Sequence, residues 1–171
     1  QIPLKHQIPN GITSIGDSAF SNCHSLTSVT IPSSVIAIGT NPFCGCPADL
    51  KNESKAFIYE HHVLFNKDKT IIISYRAKEA NYAIPDSVTS IGKSAFSFCD
   101  FLTSINIPDS VTSIGEWAFS DCDSLTNINI PKGVTSIGEC AFWGCDSLSP
   151  QVTSDIIQRF GSYVFYGVED Y

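Results

Sequence analysis

The sequence predicts a repeat solenoid, a fold in which one short unit is stacked many times. Over most of the chain, an Ile-Pro pair opens a new copy of the unit every 23 residues. Each copy carries a phenylalanine at one fixed position and a cysteine three residues after it. A fixed period between about 20 and 50 residues is typical of stacked repeats. A single copy buries too little apolar surface to fold alone, so the copies must pack on one another.

Five copies align, and we assign the whole chain, residues 1–171, to one domain. The copies span residues 8–30, 31–83, 84–106, 107–129 and 130–148, and a C-terminal cap spans residues 149–171. The recurring residues are Ile8, Ile31, Ile84, Ile107 and Ile130; Phe20, Phe43, Phe96, Phe119 and Phe142; and Cys23, Cys46, Cys99, Cys122 and Cys145. Residues 1–7 fit the repeat poorly, which indicates a frayed half-copy or a truncation. Because the chain starts at Gln1 without a signal segment, we interpret it as a processed or trimmed piece.

Each copy is expected to contain two short strands and a tight turn. In the first copy, residues 26–31 alternate apolar and small polar side chains, which predicts a strand. A second extended run, residues 12–15, ends at Gly16. This glycine recurs in every copy and indicates either a positive φ or a backbone packed too closely for a Cβ. Residues 17–25 between the strands predict a short helical or 3₁₀ turn that points the phenylalanine and cysteine inward.

The second copy contains an insertion. Its Ile-Pro pair is followed by the next one after 53 residues instead of 23. Two β-branched and aromatic runs within about residues 56–75 flank the polar segment 66–69, which predicts a β-hairpin. We place this hairpin as an excursion within the stack, with one arm able to join the main sheet. Just before it, Asp49 occupies the position expected for a leucine.

The last residues predict a helix that caps the stack. Ser149 is an expected N-cap with Pro150 at the first helical position, and Gly161 follows where the helix ends. Between them, apolar residues recur on one helical face, namely Val152, Ile156 and Phe160. A solenoid must shield its last coil from water, so this helix is expected to cover the final copy.

Composition excludes several functions. The formal net charge is -7 and the isoelectric point is near 4.8, which argues against nucleic-acid binding and against docking on an anionic membrane surface. No apolar run reaches the roughly 18 residues that a membrane-spanning segment needs. We therefore predict neither nucleic-acid binding nor membrane insertion.

The chain has seven cysteines, an odd number that cannot all pair within it. Equivalent side chains of successive coils point in parallel, so we expect the five repeat cysteines to be buried free thiols that act as small hydrophobes. Cys44 and Cys140 lie outside this series, and their redox state is left open. A zinc site is the alternative, but Cys44 and Cys46 are too closely spaced for a CxxC pair.

Groups that could support catalysis are scarce. The carboxylate–histidine run Glu60-His61-His62 is placed on a solvated hairpin edge, where adjacent residues point to opposite faces. Three aspartates recur one copy apart and could form an acidic calcium-binding ladder, namely Asp100, Asp123 and Asp146. We favour the view that each accepts backbone N–H groups in its own turn. The sequence therefore predicts a protein that is not an enzyme and needs no metal or cofactor.

One pattern carries a family resemblance. It runs from Leu102-x-x-Ile105-x-Ile107-Pro108 through the segment 111–115 to Ala118-Phe119 and Cys122. It resembles the BspA-like leucine-rich repeats. This resemblance implies a right-handed, curved leucine-rich-repeat stack with a parallel β-sheet on its concave face. It also implies an extracellular or cell-surface location and a role in adhesion, without catalytic residues.

Two sets of residues are candidates for binding a partner. The first is a polar stripe on the strand faces that point away from the core, made of Thr27, Thr30, Thr103, Asn106, Thr126, Asn127 and Asn129. The second is the pair Trp117 and Trp143, which lie at variable positions of the repeat together with Phe98 and Phe101. We expect the partner to be a protein of the host or the extracellular matrix. A glycan that stacks on the tryptophans, or a passive spacer role, are the alternatives.

Overall fold

The computed structural model describes the backbone of residues 4–167 and the side chains from residue 7 onward. Its strands are β1 (Leu4–Gln7), β2 (Ser14–Ile15), β3 (Leu26–Ile31), β4 (Ala37–Ile38), β5 (Asp49–Asn52), β6 (Phe57–Glu60), β7 (Val63–Asn66), β8 (Ile71–Tyr75), β9 (Asn81–Ala83), β10 (Ser90–Ile91), β11 (Ser104–Asn106), β12 (Ser113–Ile114), β13 (Asn127–Asn129) and β14 (Ser136–Ile137). Two helices follow, α1 (Pro150–Phe160) and α2 (Tyr163–Tyr166). The described residues form a leucine-rich-repeat solenoid, as the sequence predicts.

The strands of successive coils pair side by side along two faces of the solenoid. On the first face, β1-β3-β5 form one parallel sheet and β9-β11-β13 form a second. On the other face, β2 pairs with β4, and β8-β10-β12-β14 continue in parallel. Strands β6 and β7 extend this second sheet with antiparallel pairs. Each face is therefore interrupted at the insertion.

The turn between the two strands of a coil forms a third ladder. Backbone N–H groups of one turn donate to carbonyls of the next, as from Phe96 to Ala118 at 2.7 Å and from Phe119 to Ala141 at 2.8 Å. Positive φ angles recur at two positions of each turn, for example 55° at Trp117 and 54° at Asp121. A left-handed residue interrupts each run of i→i+3 hydrogen bonds, so the turns do not continue as 3₁₀ helix.

The repeat phenylalanines stack on one another along the centre of the solenoid. Ring centroids lie 5.5 Å apart for Phe20–Phe43, 5.0 Å for Phe96–Phe119 and 5.5 Å for Phe119–Phe142. Phe165 in α2 adds another ring, 5.5 Å from Phe142. From Phe43 to Phe142 every repeat phenylalanine is almost fully buried, so this aromatic ladder is the centre of the core.

The recurring glycine is required by close packing between coils. A Cβ on Gly115 would lie 2.6 Å from the backbone nitrogen of Lys93, and one on Gly92 would lie 2.6 Å from the carbonyl oxygen of Ile72. Neither glycine has a positive φ. Of the two explanations open from the sequence, the structure supports the approach of neighbouring backbones.

The insertion lies within the stack, as the sequence predicts, and it forms a partition there. Strand β7 contributes to two separate cores, because Leu64 packs with the N-terminal coils while Val63 and Phe65 pack with the C-terminal ones. All three side chains are buried. The predicted hairpin is present as β7 and β8, and β8 joins the main sheet by pairing with β10. A strand that the sequence did not resolve, β6, pairs with β7 on its other side.

Two local interpretations are corrected at this insertion. Asp49 does not stand in for a leucine, because it pairs with Ser28 and leaves the buried position opposite Val29 to Leu50. The pairing register of β5 is therefore shifted by two residues from the one that the repeat spacing predicts.

The second correction concerns the histidine pair. His61 and His62 do not lie on a strand; they form the two-residue turn between Glu60 and Val63. Their φ angles are 47° and 61°, in the left-handed region that asparagine and glycine occupy more readily.

The C-terminal cap is present. The Ser149 side chain accepts a hydrogen bond from the N–H of Val152 at 3.3 Å, and Gly161 ends α1 with a φ of 103°. Ile156 is buried against the last coil. Arg159 donates from its guanidinium to four backbone carbonyls of the final Ile-Pro segment, at distances from 2.7 to 3.0 Å. The arginine thus satisfies acceptors that a following coil would otherwise bind.

Replacing Leu64 with alanine tests whether the insertion is structural. We expect Leu64→Ala to lower the free energy of unfolding by about 2–5 kcal/mol, close to the roughly 3–5 kcal/mol expected for Phe119→Ala, since both side chains are fully buried. Ile71→Ala, in the same insertion but partly exposed, is the matched control and should cost less than about 1 kcal/mol. Denaturant titration measures all three. A loss for Leu64→Ala no larger than the control would contradict the partition.

The histidine turn offers a stabilising substitution. Replacing His61-His62 by Asn-Gly should raise the free energy of unfolding by about 1 kcal/mol, because both positions have positive φ. His24→Asn, at an exposed position outside the positive-φ set, should change it by less than about 0.5 kcal/mol. Thermal unfolding followed by circular dichroism measures the difference. An unchanged or lower midpoint for the Asn-Gly variant would show that the histidines relieve the strain in another way.

Candidate functional site

The structure divides the predicted polar stripe into two groups. Thr27 and Thr30 lie on β3, in the sheet that ends at β5. The other five residues lie on or just before β11 and β13, in the sheet that begins at β9. Strands β5 and β9 do not pair, because the partition lies between them in the chain. The second group is the larger continuous surface.

The threonines of this second group are used by the stack. The hydroxyl of Thr103 donates to the carbonyl of Ala80 at 2.8 Å, and that of Thr126 donates to the carbonyl of Thr103 at 3.1 Å. Each hydroxyl reinforces the junction between two coils. These two residues therefore contribute to the stack.

Four asparagines on this sheet face solvent, namely Asn81, Asn106, Asn127 and Asn129. All four are exposed, and within the described part of the chain their side chains make no hydrogen bond. Asn106 lies directly opposite Asn129, while Asn81 and Asn127 flank Ser104 in one row. We call this set the asparagine surface. It presents uncharged amide donors and acceptors in two parallel rows, which lie two residues apart along the strands and cross successive coils.

Sequence reasoning missed Asn81. It lies in the second copy, where the insertion hides the leucine that marks the strand in other copies. Counting back from the Ile84-Pro85 pair would have found it, since Asn81 precedes that pair by the same distance as Ser104 precedes Ile107-Pro108.

The two tryptophans form a separate surface. Trp117 and Trp143 lie in the turns of adjacent coils, not on the strands, and their ring centroids are 6.1 Å apart with an interplanar angle of 53°. They are 37% and 44% exposed. Phe98 and Phe101, which the sequence grouped with them, are also exposed, at 54% and 58%. The tryptophan pair and the asparagine surface therefore belong to different elements of the coil.

The cysteines are free, but not all of them are buried. None of the seven forms a disulfide, and Cys122 and Cys145 donate to the carbonyls of Phe96 and Phe119 at 3.1 and 3.0 Å. Cys23 and Cys99 are only half-buried, so the expectation of five buried thiols was wrong at these two positions. The insertion comes directly before the copy that contains Cys99, and Cys23 lies in the first copy. Each buried repeat cysteine instead donates to a carbonyl of the copy before it.

The environment of the buried thiols makes them inert. A side-chain hydrogen bond with Cys122, together with burial, raises the pKa of the Cys145 thiol far above its ordinary value. The thiol therefore stays protonated at neutral pH, and the thiolate is the reactive form. Cys122 and Cys145 therefore act as small hydrophobic residues of the core, as the sequence predicts for the repeat cysteines.

The repeated aspartates do not cap their own turns. Asp100, Asp123 and Asp146 are exposed, and in the described residues none of their carboxylates accepts a backbone hydrogen bond. Burial and the charges of these three residues instead raise the pKa of Asp121. Within residues 4–167, no group of three or more histidine, cysteine, aspartate or glutamate side chains could hold a metal ion.

The chain belongs to the BspA-type leucine-rich-repeat family. The family model describes a BspA-type leucine-rich-repeat region, and six copies of it match residues 4–67 and 74–170. These matches extend into the insertion and the C-terminal cap. No curated protein matches the chain.

Solved structures show the same fold. A leucine-rich-repeat protein from Eubacterium ventriosum is 32% identical, with a TM-score of 0.78 over 85% of this chain and 40% of that one. A leucine-rich cell-surface protein from Faecalibacterium prausnitzii is 29% identical, with a TM-score of 0.61 over 85% of this chain and 52% of that one. The pneumococcal vaccine antigen PcpA is 21% identical, with a TM-score of 0.70 over 85% and 49%, and shares the fold. This chain spans 40% to 52% of the length of these three proteins.

No helix in residues 4–167 is long and apolar enough to cross a membrane.

Thiol reactivity tests the description of the cysteines. In the native protein at pH 8, Cys122 and Cys145 should stay unmodified by a thiol reagent because they are buried and their thiol pKa is raised, while the half-buried Cys23 and Cys99 should react. All four should react after unfolding. Alkylation followed by peptide mass mapping reads each site. Recovery of a Cys99–Cys122 disulfide peptide, or equal native reactivity at all four sites, would contradict the description.

Proposed function

We propose that this chain is a non-enzymatic protein-binding module of a secreted or cell-surface adhesion protein, and that the asparagine surface contacts the partner. The observation that carries this proposal is the set of exposed amides without hydrogen-bond partners in two in-register rows. A single repeat could not offer such a surface; the stack creates it.

The chemistry of asparagine suits a protein partner. Each side-chain amide offers two donors and one acceptor oxygen, the same types of group that a peptide backbone presents. Short amide side chains are adaptable hydrogen-bonding groups and are common where proteins recognise other proteins. The rows carry no charge, so binding is expected to rest on shape and hydrogen bonds and to depend weakly on salt.

The relatives support an extracellular location. The protein from Faecalibacterium prausnitzii is described as a cell-surface protein, and PcpA is described as a vaccine antigen. Free thiols are compatible with such a location here, because the best-covered ones are buried and protonated. A host or extracellular-matrix protein is the partner class we propose.

A glycan-binding role is the second candidate, and one observation favours it. Trp117 and Trp143 expose two indole rings 6.1 Å apart on adjacent coils. Exposed aromatic faces of this kind offer an apolar contact for sugar rings. This surface is distinct from the asparagine surface, so the two candidates can be separated by mutation.

The experiment compares two double variants on a panel of immobilised extracellular-matrix proteins and on a glycan array. Asn106→Arg with Asn129→Arg places two bulky charges on the asparagine surface without touching the core, and should reduce affinity for the protein partner at least tenfold. Thr112→Arg with Thr135→Arg is the matched control, since these exposed residues lie one coil apart near the opposite face. It should leave affinity unchanged.

Each variant must first show an unchanged melting temperature. Undiminished affinity of the asparagine variant for a bound protein would move the contact elsewhere. Binding to glycans that is lost in Trp117→Ala with Trp143→Ala would favour the glycan-binding role. Absence of binding to every protein and glycan tested would favour a passive spacer.

A further inference from the structure

The first copy contains the only Asn-Gly pair of the chain, Asn10-Gly11. The pair forms the middle of a turn in which the N–H of Ile12 donates to the carbonyl of Pro9 at 3.3 Å. The same two positions are occupied in the other copies by Ser33-Ser34, Asp86-Ser87, Asp109-Ser110 and Lys132-Gly133. An amide side chain followed by a glycine therefore occurs in this turn alone.

The turn of the first copy also has a conformation of its own. Gly11 has a φ of 98°, whereas the equivalent residues of the other copies have no positive φ. A positive φ at the third residue of a four-residue turn is typical of a type II turn, and glycine adopts it without strain. The N–H of Gly11 points to the next coil and donates to Ser34 Oγ at 3.2 Å. This surface hydrogen bond holds the backbone nitrogen of Gly11.

Both residues of the pair are open to solvent. Asn10 and Gly11 are exposed, and a Cβ added to Gly11 would meet no atom within 4 Å beyond its chain neighbours. The Asn10 side chain makes no hydrogen bond to any of the described residues. Neither packing nor a hydrogen bond in that part of the chain therefore restrains its amide.

The other asparagines of the chain lack this combination. On the asparagine surface, each asparagine lies in a strand and precedes either a tyrosine or an isoleucine. The remaining four precede cysteine, proline, glutamate and lysine. Any side chain on the following residue hinders access to its backbone nitrogen, and glycine has none. Asn10 is thus the asparagine whose amide carbon is most accessible to the next backbone nitrogen.

We propose that Asn10 is a site of spontaneous deamidation, with the backbone nitrogen of Gly11 as the nucleophile and water as the co-reactant. The nitrogen loses its proton and attacks Cγ of Asn10. The new N–Cγ bond closes a five-membered succinimide ring, and the Cγ–Nδ2 bond breaks to release ammonia. Water then opens the ring at one of its two carbonyls, which leaves either aspartate or isoaspartate. Each product carries one additional negative charge.

The two products have different consequences for the stack. Aspartate already occupies this turn position in two other copies, as Asp86 and Asp109, so the coil accommodates it. Isoaspartate instead adds one carbon atom to the backbone of the turn. Ser34 bridges that turn, because its hydroxyl accepts from Gly11 and donates to the carbonyl of Ile12 at 2.7 Å. The longer backbone is expected to break these bonds and to loosen the first coil.

The experiment incubates the folded chain at pH 8 and maps its peptides by mass spectrometry over several weeks. The peptide that contains Asn10 should gain the mass difference between an amide and an acid and separate into two isomers, before any other asparagine changes. The reaction should be slower at pH 6, because the attacking nitrogen must lose a proton. A synthetic peptide of residues 7–14 is the unfolded control. Earlier reaction at another asparagine, or a reactive peptide with an unreactive folded chain, would overturn the proposal.

Lys132→Asn tests whether the turn, and not the dipeptide alone, permits the reaction. It places the same dipeptide in the equivalent turn of the last copy, where a Cβ on Gly133 would lie 3.0 Å from the carbonyl oxygen of Asp109. Arg159 also donates to the carbonyl of Lys132 at 3.0 Å. This more tightly held pair should react at least threefold more slowly than Asn10 in the same molecule. Equal rates at the two sites would overturn the role of the open type II turn.

Ser34→Ala removes the acceptor of the Gly11 N–H. The nitrogen is then free to turn toward Asn10, so the reaction should become about threefold faster. Ser33→Ala is the matched control, since this neighbouring residue is exposed and bonds to neither residue of the pair. It should leave the rate unchanged. A rate in Ser34→Ala equal to that of the control would contradict the restraint assigned to the serine.

Melting temperatures separate the two products. Asn10→Asp should melt as the fresh wild-type chain does, whereas a fraction enriched in isoaspartate should melt at a lower temperature. Asn10→Gln should remain unmodified and keep its melting temperature through the same incubation. Equal melting of the isoaspartate fraction and the fresh chain would contradict the loosening of the first coil.

Discussion

The contact between stacked phenylalanine rings sets the spacing on which the other interactions of this solenoid depend. At centroid distances of 5.0 to 5.5 Å, the rings bring each turn close enough to the next for backbone N–H groups to reach its carbonyls. The same spacing lets each covered thiol donate to the preceding coil and leaves no room for a Cβ on Gly92 or Gly115. The 23-residue period is therefore the length of chain that returns one ring to the next.

Where the period fails, the protein preserves the ladder with different residues. Tyr75 covers one open ring and Arg76 the other, and strand β7 divides its side chains between the two cores. An arginine at this internal boundary and another at the C-terminal end serve the same purpose, because a planar group with five donors can satisfy several carbonyls at once. The insertion thus contains two internal caps, one facing each stack.

Much of this fold could be predicted from the sequence, because repetition makes each position observable several times. The strands, the recurring glycine and the cap from Ser149 to Gly161 are each fixed by local chemistry that recurs or has a known signature. The insertion occurs once, so its alternation of Leu64 with Val63 and Phe65 could indicate strands but not that both faces are buried. At the boundary between the two stacks, Tyr75 covers Phe96 while the adjacent Arg76 covers Phe43. No local sequence pattern indicates this division. The polar stripe could be located from the repeat period. The hydrogen bonds of Thr103 and Thr126 to the preceding coil could not, because they depend on how neighbouring coils are placed.

In this architecture, the number of regular coils and the residues of the insertion can vary separately. The coils on either side of the insertion repeat with the same spacing, so their number can change without altering the residues of the insertion. Conversely, the insertion supplies residues that lie outside the repeat pattern, among them Tyr75 and Arg76, which cover the open rings of Phe96 and Phe43. Chains of this kind can therefore differ at a single irregular junction, while their length changes by the addition or removal of repeat units.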